Sequence, residues 1–179
     1  MPPLIIFFAG TQTPIMKYRL ADTTDIQSLK TLALKSWSGF ENELAPENWA
    51  RLKGNLQNDK TYEDLLTKGP GFVCVDSEDK IIGMSFLIPS GEATELFDES
   101  WCSIRFVSVD PDYNGKGIGK KLTQKCIDAA RLNGEKTIAL HTSEMMHAAR
   151  HIYENLGFQI LKEIEPRLGK RYWIYLLKL

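Results

Sequence analysis

The chain has 179 residues, enough for one domain with its own core, and it is 43% hydrophobic and 25% charged, as globular proteins are. A formal net charge of -1 argues against a broad basic nucleic-acid surface, so any anion site must be local. Cys74, Cys102 and Cys126 are odd in number, far apart and in no CxxC arrangement, which speaks against a disulfide framework or zinc site and for a reducing, cytoplasmic setting.

The first residues, through Pro3–Gly10, form a short apolar stretch without the positive flank of a signal peptide, and no run reaches the ~18 apolar residues of a membrane span. Residues 1–15 are read as a leader, a misassigned start or an extra edge segment, and the domain is expected over 16–179. Tyr18–Ala21 reads as a strand. Thr24 and Gln27 have capping-box spacing, and Ile26, Leu29 and Ala33 continue as one face of a helix ending near Trp37. Pro46 suits the first turn of a second helix. Asn58–Lys60 reads as a break, and Tyr62–Leu66 as one further helical turn.

Gly69-Pro70-Gly71 is punctuation. Strands are expected at Phe72–Val75 and Ile81–Ile88 around a polar hairpin loop, then an acidic loop over Pro89–Ser100. Ser103–Val109 is a strand in which Ile104, Phe106 and Ser108 alternate with Arg105, Val107 and Val109. Ile118, Leu122, Cys126, Ala129 and Ala130 share a helical stripe, which Asn133-Gly134 closes. A strand at Thr137–Thr142, a helix from Met145 to Leu156, and strands at Phe158–Glu163 and Tyr172–Leu177 complete the order. The fold class is mixed α/β with a substantial antiparallel part.

The segment from Val107 to Leu122 carries the chemistry. A strand runs through Asn114-Gly115-Lys116-Gly117 straight into an amphipathic helix. The first backbone N–H groups of a helix have no internal partner and, with the helix dipole, attract anions. Glycine lets the anion come close, and Lys116, Lys120 and Lys121 add charge. The segment therefore reads as a phosphate or diphosphate cradle. Two other phosphate motifs fail on spacing: the P-loop needs glycine at Asn114 and Ser or Thr at Lys121, and the dinucleotide fingerprint needs glycine at Lys120.

Asn114-x-x-Gly117-x-Gly119 resembles the acetyl-CoA motif of the GCN5-related N-acetyltransferase (GNAT) superfamily, [QR]-x-x-G-x-[GA], with Asn at the first position. A second block, Ala149-Arg150-His151-Ile152-Tyr153-Glu154-Asn155-Leu156-Gly157-Phe158, is similar to that family's A-x-x-[LI]-Y-x-x-x-G-F. The resemblance implies a mostly antiparallel central sheet whose splayed central strands form an acetyl-CoA cleft. It implies that the Val107 and Val109 backbones pair with the pantetheine arm, with Ser108 in the same contact segment. It further implies that Asn114, Gly115, Lys116, Gly117, Ile118, Gly119 and Lys120 hold the diphosphate.

The implied activity is transfer of an acetyl group to a primary amine by direct attack; a non-catalytic CoA-binding sensor on the same fold is the alternative. Tyr153 occupies the position of the family's general acid. Ser103 stands where histone-type members carry a glutamate base, and His141, which titrates near neutrality when unperturbed, stands on the strand where other members carry theirs. Glu95 and Glu99 are candidates for attracting a cationic amine, and with Ser103 they are the expected substrate-binding residues. The i, i+4 pair His147 and His151 lacks a third ligand, so no metal is expected. The nature of the amine stays open, and a homodimer through the C-terminal strands is compatible with the chain.

Overall fold

A computed structural model describes residues 15–179; the expected leader over residues 1–15 lies, apart from Ile15, outside the described residues. Strand β1 (Lys17–Leu20) leads into a short turn of 3-10 helix and then α1 (Ile26–Trp37). The capping box sits earlier than the Thr24–Gln27 spacing suggests. Asp22 accepts from the Thr24 amide, and Asp25 accepts from the Asp22 amide. A bidentate ion pair from Arg19 selects this arrangement: it fixes Asp25 at 2.7 and 2.8 Å, which Gln27 cannot match.

Helix α2 (Pro46–Leu56) starts at its proline. Helix α3 (Asp59–Lys68) is a full ten residues rather than one turn, because Asn58 is its N-cap and not merely a break. Strands β2 (Gly71–Val75), β3 (Ile81–Ile88) and β4 (Cys102–Val109) follow, then α4 (Ile118–Leu132), β5 (Thr137–Ser143), α5 (His147–Asn155), β6 (Gln159–Arg167) and β7 (Lys170–Lys178). The seven strands lie in the order β1-β2-β3-β4-β5-β7-β6. Every neighbouring pair is antiparallel except β4–β5.

Helices cover both faces of this sheet. Leu29 and Ala33 of α1 and Tyr62 of α3 pack on Val73, Met84 and Phe86. On the opposite face Cys126 and Ile127 of α4 and Tyr153 of α5 pack on Ile104, Ile138 and Tyr175. Burying both faces explains why β3 reads as an almost continuous apolar run rather than an alternating one.

Two features shape the centre of the sheet. First, β4 is bulged. Met84 faces Ser108 across the β3–β4 ladder but Phe86 faces Arg105, so Phe106 and Val107 together oppose Ser85. Phe106 takes a left-handed φ of 52°, a conformation that costs a non-glycine residue energy. The bulge breaks the expected alternation: Phe106 joins the α1–α3 core, while Val107 joins Ile104 against α4 and α5. Second, β4 and β5 pair only at Cys102–Ile138 and Ser103–Ala139 and then part.

The β6–β7 hairpin is longer at both strands than the sequence pattern indicates. Its Arg167–Lys170 closure has Leu168 and Gly169 both at positive φ, as a type I′ turn requires. The tip reaches α2, where a Cβ on Gly169 would lie 3.3 Å from the Asn48 amide nitrogen.

Candidate functional site

Beyond Ser103 the edge of β4 that faces β5 has no strand partner. Asp110 donates its N–H to the Ile82 carbonyl of β3 at 2.8 Å. Because backbone groups alternate along a strand, Ser108 also faces β3, and Val107 and Val109 turn theirs into the gap. Val107 and Val109 are half-buried, and an open strand edge of this kind can accept an extended ligand as a further strand. Ser108 is a different case from its neighbours: its main chain serves the ladder and its hydroxyl is buried without a partner.

The chain then crosses a braced turn. Asp110, 1% exposed, accepts from the Asp112 amide and from Lys35 of α1 at 2.6 Å and Lys80 at 3.1 Å. Burial alone raises a carboxyl pKa, but these donors outweigh it and hold Asp110 below the ordinary carboxylate range. Tyr113 donates to Asp76 at 2.9 Å. The turn is thereby tied to α1 and to the β2–β3 hairpin just before the glycines begin.

Gly115 and Gly117 have φ of 76° and 75°, and a Cβ at either would meet nothing within 4 Å. Gly117 caps α4 from a left-handed conformation and offers no side chain to the first turn. The first intrahelical bond runs from the Lys121 amide to the Gly117 carbonyl at 3.0 Å, leaving the Ile118, Gly119 and Lys120 amides as the helix's orphan donors. Gly119 is small for another reason: a Cβ there would lie 3.2 Å from Ile152 of α5. The Ile118 side chain is core, so its contribution to an anion site is its amide. Lys116 stacks on the Tyr113 ring at 5.3 Å.

A cavity of about 840 Å³ opens where β4 and β5 part. Ser103, Val107, His141 and Tyr153 line it, with Trp37 and Leu52 on the helical side and Arg167 at the hairpin tip. It brings together three of the five residues expected outside the cofactor segment. Glu95 and Glu99 are not among its lining residues; both are exposed, and Glu95 pairs with Arg167 at 3.5 Å.

Tyr153 is 6% exposed, and burial holds its phenol well above the ordinary value. The near-neutral titration expected of His141 is corrected by its surroundings: burial, reinforced by Arg105 and Arg167, pulls its pKa down to about 4. Its Nδ1 is buried with no hydrogen-bond partner. Sequence reasoning gives Arg105 and Arg167 no role. The one signal for the first is an arginine between Ile104 and Phe106 in an otherwise apolar strand. Among the described residues no group of histidines, cysteines or acids could hold a metal ion, and no helix is long and apolar enough to cross a membrane.

A strand edge left open, running into a glycine-capped helix beside a splayed sheet, defines an acyltransferase architecture. The chain belongs to the acetyltransferase (GNAT) family, whose model matches residues 28–158. It is 29% identical over 150 residues to a probable N-acetyltransferase camello of Xenopus tropicalis, covering 82% of this chain and 65% of that protein. It is 34% identical over 108 residues to the N-acetylaspartate synthetase of the same organism, covering 59% of this chain and 38% of that protein. The matches thus span less than two thirds of those relatives' length. The PaiA N-acetyltransferase of Thermoplasma acidophilum, solved in complex with coenzyme A, superposes with a TM-score of 0.74 at 14% identity over 92% of this chain and 99% of that one. The mostly antiparallel open sheet flanked by helices is the fold they share.

Proposed function

We propose that the chain is an acetyl-CoA-dependent N-acetyltransferase acting on a primary amine, and that residues 16–179 form the functional unit. The observation that carries this reading is the open Val107–Val109 edge of β4 followed, across the braced turn, by the orphan amides of α4. An extended arm ending in a diphosphate suits such a run: hydrogen bonds to the arm come from Val107 and Val109, and those to the phosphates from the Gly115–Lys120 amides. The open space over Gly115 and Gly117 suits it too, because side chains there would occupy the anion's position. Acetyl-CoA would supply an activated acetyl group on a thiol leaving group.

The chain's own residues then have three tasks. The unpaired edge of β4 fixes the donor and offers N–H groups to a polarised carbonyl. The cavity beside it admits the amine, which attacks as the neutral species. Tyr153 serves the leaving sulfur. Its buried phenol keeps its proton at every working pH, so it can always donate a hydrogen bond there. Outright loss of that proton to a thiolate, whose ordinary pKa is about 8.5, is uphill. Tyr153 therefore acts as a proton conduit, releasing its proton to sulfur only as it recovers the one shed by the acylated nitrogen. The sum is amine plus thioester giving amide plus thiol.

His141 is the candidate base in this reading. With a pKa near 4 it is neutral at pH 7 but a weak proton acceptor, so deprotonation of the amine relies largely on solvent reaching the open cavity. Calorimetry with acetyl-CoA, followed by a thiol-release assay over amines, tests the reading. Binding together with amine-dependent thiol release is expected. No uptake of acetyl-CoA by folded protein defeats the assignment.

A further inference from the structure

Arg105 is the anomaly in the acceptor cavity. It stands half-buried on the bulged strand, and its one specific contact is the face of Phe97, 5.0 Å from its guanidinium. It makes no hydrogen bond and no ion pair with any described residue, and residues 1–14 contain no acidic side chain. A guanidinium stays charged at any working pH, so it cannot escape burial by losing its proton. Stacking on Phe97 offsets part of that cost and satisfies none of its five N–H donors.

The surroundings make matters worse for a lone cation. Arg167, brought in by the β6–β7 tip, lies close enough to repel it, and its own partner Glu95 is a long, largely exposed contact at 3.5 Å. The two acids that line the cavity, Asp64 and Glu92, are held by Lys60 at 2.6 Å and Lys68 at 3.1 Å. His141, on the β5 wall of the cavity, has its buried Nδ1 unsatisfied. Among the described lining residues, Arg105 is thus the guanidinium with neither an ion pair nor a hydrogen bond: Arg167 reaches Glu95, Arg51 reaches Asn48, and His141, near 4, is neutral at pH 7. An unpaired guanidinium facing an open cavity is suited to receive an anion that arrives from outside.

This deepens the acetyltransferase reading and rests on it. The geometry points to an amino acid as the acceptor, its carboxylate held by Arg105 with Arg167 closing over it from the hairpin tip. Arg105 lies two residues before Val107, whose backbone faces the donor's gap. A carboxylate bound there therefore requires its amine to be near it, as in an α-amino acid, and disfavours a polyamine. The wall formed by Trp37, Leu52, Phe106 and Met146 receives the amino acid's own side chain, which selects apolar ones. A planar guanidinium meets a carboxylate through two parallel hydrogen bonds, which fixes orientation as well as affinity.

The experiment compares each of the twenty L-amino acids with its carboxamide, and includes spermidine, on the full chain with acetyl-CoA. Acceptor binding is read by calorimetry with CoA present, and turnover by thiol release. At least one amino acid should bind and react roughly 10- to 100-fold better than its amide, the range expected for losing a charge-assisted pair. Arg105→Gln should raise the amino acid's KM by a similar factor, leave the KM for acetyl-CoA unchanged, and erase the preference over the amide. Arg105→Lys should restore only part of it, since an ammonium lacks the fork. If every amide, or spermidine, does as well as the free amino acids, the inference fails while the acetyltransferase reading stands. If no amino acid binds to CoA-loaded protein, the inference fails as well. Failure to bind acetyl-CoA at all removes the reading beneath it.

Discussion

Gly117→Ala separates the fold's need for a left-handed residue from the ligand's need for space. Gly117 sits at φ 75°, and a Cβ added there would have nothing within 4 Å. The folded protein therefore meets only the backbone cost of a left-handed alanine, about 1–2 kcal/mol. For a domain of this size that lowers Tm by roughly 2–8 °C. The methyl group, however, stands where a diphosphate must approach the Ile118–Lys120 amides. Weakening two charge-assisted hydrogen bonds costs about 3 kcal/mol or more, which is roughly a hundredfold in Kd. Gly134→Ala is the matched control. Gly134 has φ 76°, equally open space, and lies beyond the far end of α4, about 22 Å along the helix axis. Both variants should lose similar stability in thermal unfolding, and only Gly117→Ala should lose CoA affinity in calorimetry. Equal CoA affinity in wild type and both folded variants would refute the cradle.

Tyr153→Phe should lower kcat by roughly 10²- to 10⁴-fold with the acetyl-CoA Kd unchanged, measured by thiol release and calorimetry; an unaltered kcat removes Tyr153 from the proton path. His141 is held at about 4, below the ordinary ~6.5, so between these values the unfolded chain binds a proton that the folded ring refuses. Stability should therefore fall by roughly 1–3 kcal/mol as pH drops from 6.5 to 4, and urea titrations of His141→Gln should show a shallower slope. Asp110 runs the other way in origin: its depressed carboxyl stabilises the fold above the ordinary carboxylate pKa, and that contribution is lost as pH falls through its folded value. Asp110→Asn should cost about 2–3 kcal/mol at pH 7 by denaturant unfolding, with the gap to wild type closing in acid. A chain begun at Met16 should keep the acetyl-CoA affinity of the full chain in calorimetry; a large loss would show that the first fifteen residues take part.

Much of the fold was legible because its signals are local. Pro46 opens α2, Gly117 and Gly134 bracket α4, and the Ile118–Leu122–Cys126 stripe marks the buried face of that helix. The misreadings have distant causes. Asp22 outcompetes Thr24 as cap because Arg19, on the preceding strand, fixes Asp25. Strand β6 runs on past the expected end at Glu163, through Pro166 to Arg167, because it is an edge strand, where charge and proline are tolerated. The β4 alternation fails at Phe106 because the bulge depends on register with β3.

The sequence by itself determined the order of elements and the glycine-capped start of α4 with its orphaned first turn, since these arise from consecutive residues. Only the tertiary structure decided what lines the cavity where β4 and β5 part. Arg105, His141 and Arg167 are far apart along the chain, and none has a motif of its own. They come together because β4 and β5 part and the hairpin tip folds back over the gap. Burial and mutual repulsion belong to that assembled space, so neither the depressed histidine nor the unpartnered arginine could be read from residue order.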